Sequence, residues 1–347
     1  MFINAFLRKN EIIKIIIMKR NLFIVVALVA TMTAVAQNIA VVSPDNVTDI
    51  YQTLGDAIAN AAPGSTIYLP GGGHQISDET KIDKKLTIMG VSHRGDTDNV
   101  DGGTIISGNL NFIGGSSGSA VLGVYISGNI NVGTSEEAVE NFTVKYCNAS
   151  YIFVSNSASS GMVVNQCYLR SGGDFGNTNV KIENNIINSL RNINGGVISN
   201  NIIFGFTRQQ YFSDFALLWV SNSAITNNFL LYNGHFGDNC YVSNNCYAKT
   251  ALWGDNPIIL DEGVQWEDVF VKYDDNNRAS INLDYRLKQG IDKSKFMGTD
   301  GKPIGIEGGS GFTKDALAPI PRIVSKKVDE QSDASGKLTI EVTVKAQ

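Results

Sequence analysis

A phrase ending in paired asparagines recurs four times and constrains this chain more than any other feature. It reads Val180-Lys181-Ile182-Glu183-Asn184-Asn185-Ile186-Ile187, then Val197-Ile198-Ser199-Asn200-Asn201-Ile202-Ile203. It returns as Ala224-Ile225-Thr226-Asn227-Asn228-Phe229-Leu230 and as Tyr241-Val242-Ser243-Asn244-Asn245-Cys246-Tyr247. The second asparagine falls at 185, 201, 228 and 245, in steps of 16, 27 and 17 residues. A period near twenty is too short for a helical hairpin repeat and fits one turn of a β-solenoid. The first half of each phrase alternates apolar and polar residues, as a strand with one buried face does. The asparagine pair ends that strand, because asparagine tolerates turn conformations and bonds backbone groups locally. An asparagine at the same inward corner of each coil predicts a ladder of stacked amides that satisfy one another.

The phrase extends backwards in weaker form through Val164-Asn165-Gln166-Cys167, Val144-Lys145-Tyr146-Cys147 and Val121-Leu122-Gly123-Val124. The inward column then reads Val124, Cys147, Cys167, Asn185, Asn201, Asn228, Asn245, small or polar throughout. On these repeats, over about half its length, the chain resembles a right-handed parallel β-helix of the pectin-lyase-like superfamily. The resemblance implies an all-β solenoid. It says little about chemistry, because one fold hosts many functions.

Residues 1–36 read as an upstream extension and a secretory signal peptide. Met18-Lys19-Arg20-Asn21 is the basic start, residues 22–30 the apolar core, and Ala34-Val35-Ala36 the cleavage site before Gln37. That apolar core is short for a transmembrane helix, so the mature chain is expected to have none. The expected locations are periplasm, cell surface or medium. Removal takes away five of 28 basic residues and one of 33 acidic ones, leaving 23 and 32 and a net charge of −9. Such a chain is not built for phosphate backbones, so no nucleic-acid partner is expected.

The solenoid is expected over residues 37–255. It begins with a short helix near 53–61 and a strand Thr66-Ile67-Tyr68-Leu69, an order similar to the N-terminal cap of secreted β-helix proteins. Residues 92–103 read as a solvated polar loop; its Asp96, Asp98 and Asp101 lack the spacing of a calcium loop, and calcium is the one cofactor left open. No metal site is expected elsewhere. Cys147 and Cys167 share the inward column about 4.8 Å apart in adjacent coils, and read as two buried free thiols rather than a bridge. Residues 256–318 form an irregular closing segment in which Gly305-Ile306-Glu307-Gly308-Gly309 resembles the closing turn of secreted β-helix proteins. Residues 319–347 form a tail in which 323–328 pairs with the alternating strand 338–344.

The step of 27 residues holds an insertion at 204–215, with Arg208, Tyr211, Phe212 and Asp214. The turn one coil on carries His235 and Asp238. Insertions in one coil mark the binding face of a solenoid, and aromatic faces beside planar polar groups suit a sugar ring. These six residues are the candidate ligand site, with Arg208, Asp214 and His235 as the candidate catalytic set. Enzymes of the resembled superfamily use carboxylates holding calcium with an Arg or Lys base, or clustered Asp. Between 107 and 249 this sequence has no Asp-Asp pair, nor a nucleophile elbow or zinc signature. Two functions compete: an exported, non-catalytic glycan-binding or structural module whose partner is a polysaccharide or cell-envelope glycan, and a polysaccharide lyase or glycosidase acting on the same face.

Overall fold

The computed structural model describes residues 38–94, 102–205, 215–247, 254–276, 278–313, 322–328 and 340–345. It is dominated by two long sheets, of 11 and 15 strands, in which nearly all pairings are parallel. Successive repeats send one strand to each sheet. In the first sheet, Thr66–Tyr68, Thr87–Met89, Ala120–Leu122, Thr143–Lys145, Met162–Asn165, Val180–Glu183, Val197–Ser199, Ala224–Thr226 and Tyr241–Ser243 lie side by side. Their register aligns Ile67, Ile88, Val121, Val144, Val164, Ile182, Ile198, Ile225 and Val242 in one column. All nine are buried, which is the physical content of the alternation read from the sequence.

The two asparagines of each pair do different work. The first is left-handed: φ is 53° at Asn184, 58° at Asn200, 59° at Asn227 and 52° at Asn244. Asparagine is one of few residues that tolerates this region. The weaker repeats turn at the same place, through Gly123, Tyr146 and Gln166. The second asparagine points inward and stacks as expected. Asn185 Nδ2 donates to Asn201 Oδ1 at 3.0 Å, Asn201 Nδ2 to Asn228 Oδ1 at 3.0 Å, and Asn228 Nδ2 to Asn245 Oδ1 at 2.9 Å. Each Oδ1 also accepts the backbone N–H of the preceding column residue, at 2.8–2.9 Å from Cys167 through Asn228. Each of Asn185, Asn201 and Asn228 further donates Nδ2 to a carbonyl two residues back and to one in the preceding coil.

Cys147 and Cys167 are free and buried, and they stand in for amides. Cys147 Sγ reaches Lys145 O at 3.1 Å and Val121 O at 3.4 Å; Cys167 Sγ reaches Asn165 O at 3.3 Å and Val144 O at 3.5 Å. These are the positions that Nδ2 uses further along. Burial, and after it the Cys147 thiol beside it, raises the Cys167 thiol well above its ordinary pKa.

After each asparagine pair the second sheet takes two apolar residues in a row. Ile187, Ile203, Leu230 and Tyr247 face the main core. Ile186, Ile202, Phe229 and Cys246 face outward in register and are nevertheless buried. They pack under Trp266, Phe270, Tyr285, Phe296, Ile304 and Ile306, in a second apolar cluster. Phe229 meets Phe270 edge-on at 5.1 Å and Trp266 at 6.0 Å.

Residues 297–313 run back along the corner row. Asn244 Nδ2 donates to Met297 O at 3.2 Å, and Asn227 binds Thr299 through both amide atoms at 2.9 Å. Asn184 donates to Gly308 O at 2.8 Å and accepts from Ser310 N at 3.2 Å, and Gln166 Oε1 accepts from Thr313 N at 2.9 Å. The glycine-rich turn has a steric cause. A Cβ on Gly305 would stand 2.6 Å from the Phe229 ring, and one on Gly308 2.4 Å from Asn200 Oδ1.

A seven-residue helix, Leu54–Asn60, buries Leu54, Ala57 and Ile58, and Thr53 caps it by accepting Asp56 N–H at 3.1 Å. Near it Ile39–Val42 pairs antiparallel with both Thr48–Tyr51 and Thr66–Tyr68. The loop expected to be solvated at 92–103 is not so at its start. Ser92, His93 and Arg94 are buried, because Arg94 Nη1 donates to Ile281 O at 3.1 Å and His93 stands edge-on to Tyr168. Its three aspartates lie outside the described residues. In the tail, Arg322–Val328 pairs antiparallel with Ile340–Lys345. No helix among the described residues is long and apolar enough to cross a membrane.

Candidate functional site

The expected site falls largely outside the described residues. Arg208, Tyr211, Phe212 and Asp214 lie in 206–214, and so does any geometry among them. His235 sits in the strand Asn233–Phe236, opposite Leu218 of Phe215–Ser221; its side chain is outside the description. Asp238 is exposed in the turn that follows, and its carbonyl accepts Asn222 N–H at 3.0 Å.

The strands on either side of residues 206–214, Ile202–Ile203 and Phe215–Ser221, belong to the second sheet. Parallel register across the second sheet aligns Lys81, Asn111, Asn131, Phe153, Asp174, Arg191, Leu218 and His235. Asp174 and Arg191 pair at the middle of this row. Arg191 Nε donates to Asp174 Oδ2 at 2.9 Å, and Asn192 Nδ2 donates to Asp174 Oδ1 at 2.8 Å. Gly176 N–H adds a third bond to Oδ1 at 3.2 Å. The carboxylate is thus buried and engaged at both oxygens, while the Arg191 side chain stays 44% exposed. Such a buried carboxylate needs these donors. The Arg191 guanidinium carbon stands 6.0 Å from the centre of the Tyr151 ring. Burial raises the Tyr151 phenol pKa; the Arg191 charge works against that and the Asp174 charge with it. The chain reaches this geometry through Gly172, whose φ is 105° and whose Cβ would stand 2.2 Å from Ser189 O.

Two exposed rings flank the pair. Phe153, in register with Asp174, is 39% exposed, and Trp219 is 52% exposed. Trp219 holds φ at 54°, and Asn192 holds 56° at the equivalent place in the neighbouring strand. A left-handed tryptophan costs about 1 kcal/mol or more. Half-exposed as it is, Trp219 does not offset that by full burial.

Arg170 ties together three neighbouring strands of the same sheet. The strands Tyr125–Val132 and Asn148–Val154 shift register just after Ile126 and Ala149. Arg170 Nη2 donates to Ile126 O at 2.9 Å and Ser127 O at 3.2 Å; Nη1 donates to Asn148 O at 3.2 Å and to Asn148 Oδ1. It also stacks over Tyr125 at 4.6 Å.

A groove of about 560 Å³ lies between the second sheet and residues 283–313, lined by Tyr168, Ile186, Tyr285, Ile306 and Phe312. Its charges are already paired. Asp284 holds Arg286 at 2.5 Å, and Glu307 takes Lys293 at 2.7 Å and Leu287 N–H at 2.8 Å. Among the described residues no three His, Cys, Asp or Glu are placed to hold a metal.

The sequence reading missed Tyr151, Phe153, Asp174, Arg191, Asn192 and Trp219. Repeat spacing carries no signal for the pair: Leu169 aligns with Ile187 in the neighbouring strand, and Asp174 with Arg191, one residue out of step. No family model, curated protein or solved structure matches this chain.

Proposed function

We propose that this chain is an exported right-handed parallel β-helix, similar to the pectin-lyase-like superfamily, that binds glycan at the cell surface without catalysis. The observation that carries the reading is the exposed face where Tyr151, Phe153 and Trp219 surround the Asp174–Arg191 pair. Aromatic faces with oriented planar donors are what a pyranose needs. The two parallel sheets joined by an asparagine corner favour a solenoid, and the helix and antiparallel strands near its start favour a capped end. The signal-like start of the sequence favours export.

The alternative is a lyase or glycosidase acting through Arg208, Asp214 and His235. It is favoured by the pairing of the strands that follow the insertion and carry His235. Against it, the aligned row carries one carboxylate, Asp174, already saturated, whereas glycoside hydrolysis uses two. Incubating the exported chain with a polysaccharide panel separates the readings. Retention without products supports the binder. New reducing ends or unsaturated products absorbing in the ultraviolet establish the enzyme, and no retention on any glycan refutes both.

A further inference from the structure

We infer that this face takes a neutral glycan, and that Asp174 sets the preference as a positioning residue that holds and neutralises Arg191. The inference rests on the glycan-binding reading. Along the row from Asn111 to Leu218 the charged residues are Asp174 and Arg191, and they cancel in one ion pair. Arg170, the other cation nearby, turns its donors to main-chain carbonyls and one amide oxygen rather than outward. The chain from Gln37 onward is acidic, with 23 basic and 32 acidic residues. Among the described residues from Asn111 to Leu218 a polyanion therefore meets no uncompensated cation, in an unfavourable overall field; Lys81 stands at the far end of the row.

A neutral sugar is served differently. With Nε tied to Asp174, the remaining edge of the Arg191 guanidinium keeps donors for hydroxyl or ether oxygens. Tyr151, Phe153 and Trp219 offer ring faces on either side. Residues of the row repeat about every 4.8 Å, one strand spacing, so an extended glycan lying across the strands meets them in turn.

The test uses the exported chain with Asp174→Asn and Arg191→Met variants, glucomannan as neutral probe and polygalacturonate as acidic probe. Affinities are measured at low and high salt, with thermal melts as the folding control. The parent is expected to bind glucomannan equally at both salt concentrations, and Arg191→Met to bind it more weakly. Asp174→Asn leaves Arg191 uncompensated, so it should gain about fivefold in polygalacturonate affinity at low salt and lose the gain at high salt. A parent that prefers polygalacturonate with steep salt dependence overturns the inference and leaves the glycan-binding reading standing. A folded Asp174→Asn variant with unchanged preference also overturns it. Should Asp174→Asn unfold, the salt dependence of the parent decides: flat upholds, steep refutes. Binding to neither probe nor any other glycan removes the underlying reading as well.

Discussion

Replacing Asn201 with leucine probes the amide ladder at its centre. Leucine matches asparagine closely in shape, so the change deletes hydrogen bonds without opening a large cavity. Asn201 Oδ1 is the acceptor for Asn185 N–H at 2.9 Å, and it takes Asn185 Nδ2 at 3.0 Å. Asn185 Nδ2 keeps its bonds to Val164 O and Glu183 O, so it stays satisfied. The Asn185 backbone N–H has no such reserve and is left buried and unpaired. The carbonyls of Ile182 and Ser199 each lose a donor at 2.9 Å. One orphaned buried N–H costs about 1–3 kcal/mol, and the weakened carbonyls add to it. A total of about 2–4 kcal/mol is expected, near the upper end for single substitutions. Urea unfolding followed by circular dichroism reads the change in midpoint at constant slope. Asn228→Leu should cost a similar amount, and the double variant less than the sum, because the two side chains share a bond. A loss below about 0.5 kcal/mol for Asn201→Leu would show that the ladder is not a source of stability.

Three further outcomes follow from particular contacts. Arg170→Met should destabilise by about 1–2 kcal/mol, since the carbonyls of Ile126, Ser127 and Asn148 lose their donor but water reaches part of the site; an unchanged urea midpoint would contradict this. Gly305→Ala should cost about 2–4 kcal/mol, because φ is 73° and the new methyl meets the Phe229 ring; near-ultraviolet circular dichroism of the aromatic cluster should change with it. Burial raises the Cys167 and Cys246 thiols and the Tyr247 and Tyr285 phenols. Raised folded pKa values give stability that is complete below the unfolded values, about 8.5 for thiols and 10 for phenols, and is lost as pH rises past them. The urea midpoint should therefore fall between pH 8 and pH 11, and a flat profile would exclude these groups as buried.

The solenoid-like pairing was legible because the repeat carries two independent signals, the alternation in the first strand and the asparagine at its end. Cys147 and Cys167 were placed in the asparagine column by alignment alone, and their thiols do meet the carbonyls that amides meet elsewhere. The outward apolar strip was written just as plainly. Ile186-Ile187 and Phe229-Leu230 break the alternation, and a strand apolar on both faces must be covered on both. Its cover was not legible, because the corner amides bind main-chain atoms as far as 147 residues away, and main-chain atoms leave no sequence trace beyond the glycines that admit them. The candidate face was hidden for another reason. Strand registers shift after Ile126 and Ala149, and Asp174 and Arg191 fall one residue out of step with Leu169 and Ile187, so repeat spacing does not align the pair. Nothing local in the sequence announces the left-handed backbone at Trp219.

A glycan bound as proposed rests on the face formed by Tyr151, Arg191 and Trp219. Isothermal titration of the best-bound glycan against the parent, Trp219→Ala and Tyr151→Ala tests it most directly. Aromatic contacts of this kind contribute about 0.5–1.5 kcal/mol each, so each variant should lose roughly two- to tenfold in affinity with its melting temperature unchanged. Parent-like affinity in both variants, with binding abolished instead by Tyr211→Ala or Arg208→Ala, would place the contact on the insertion and contradict the assignment of this face.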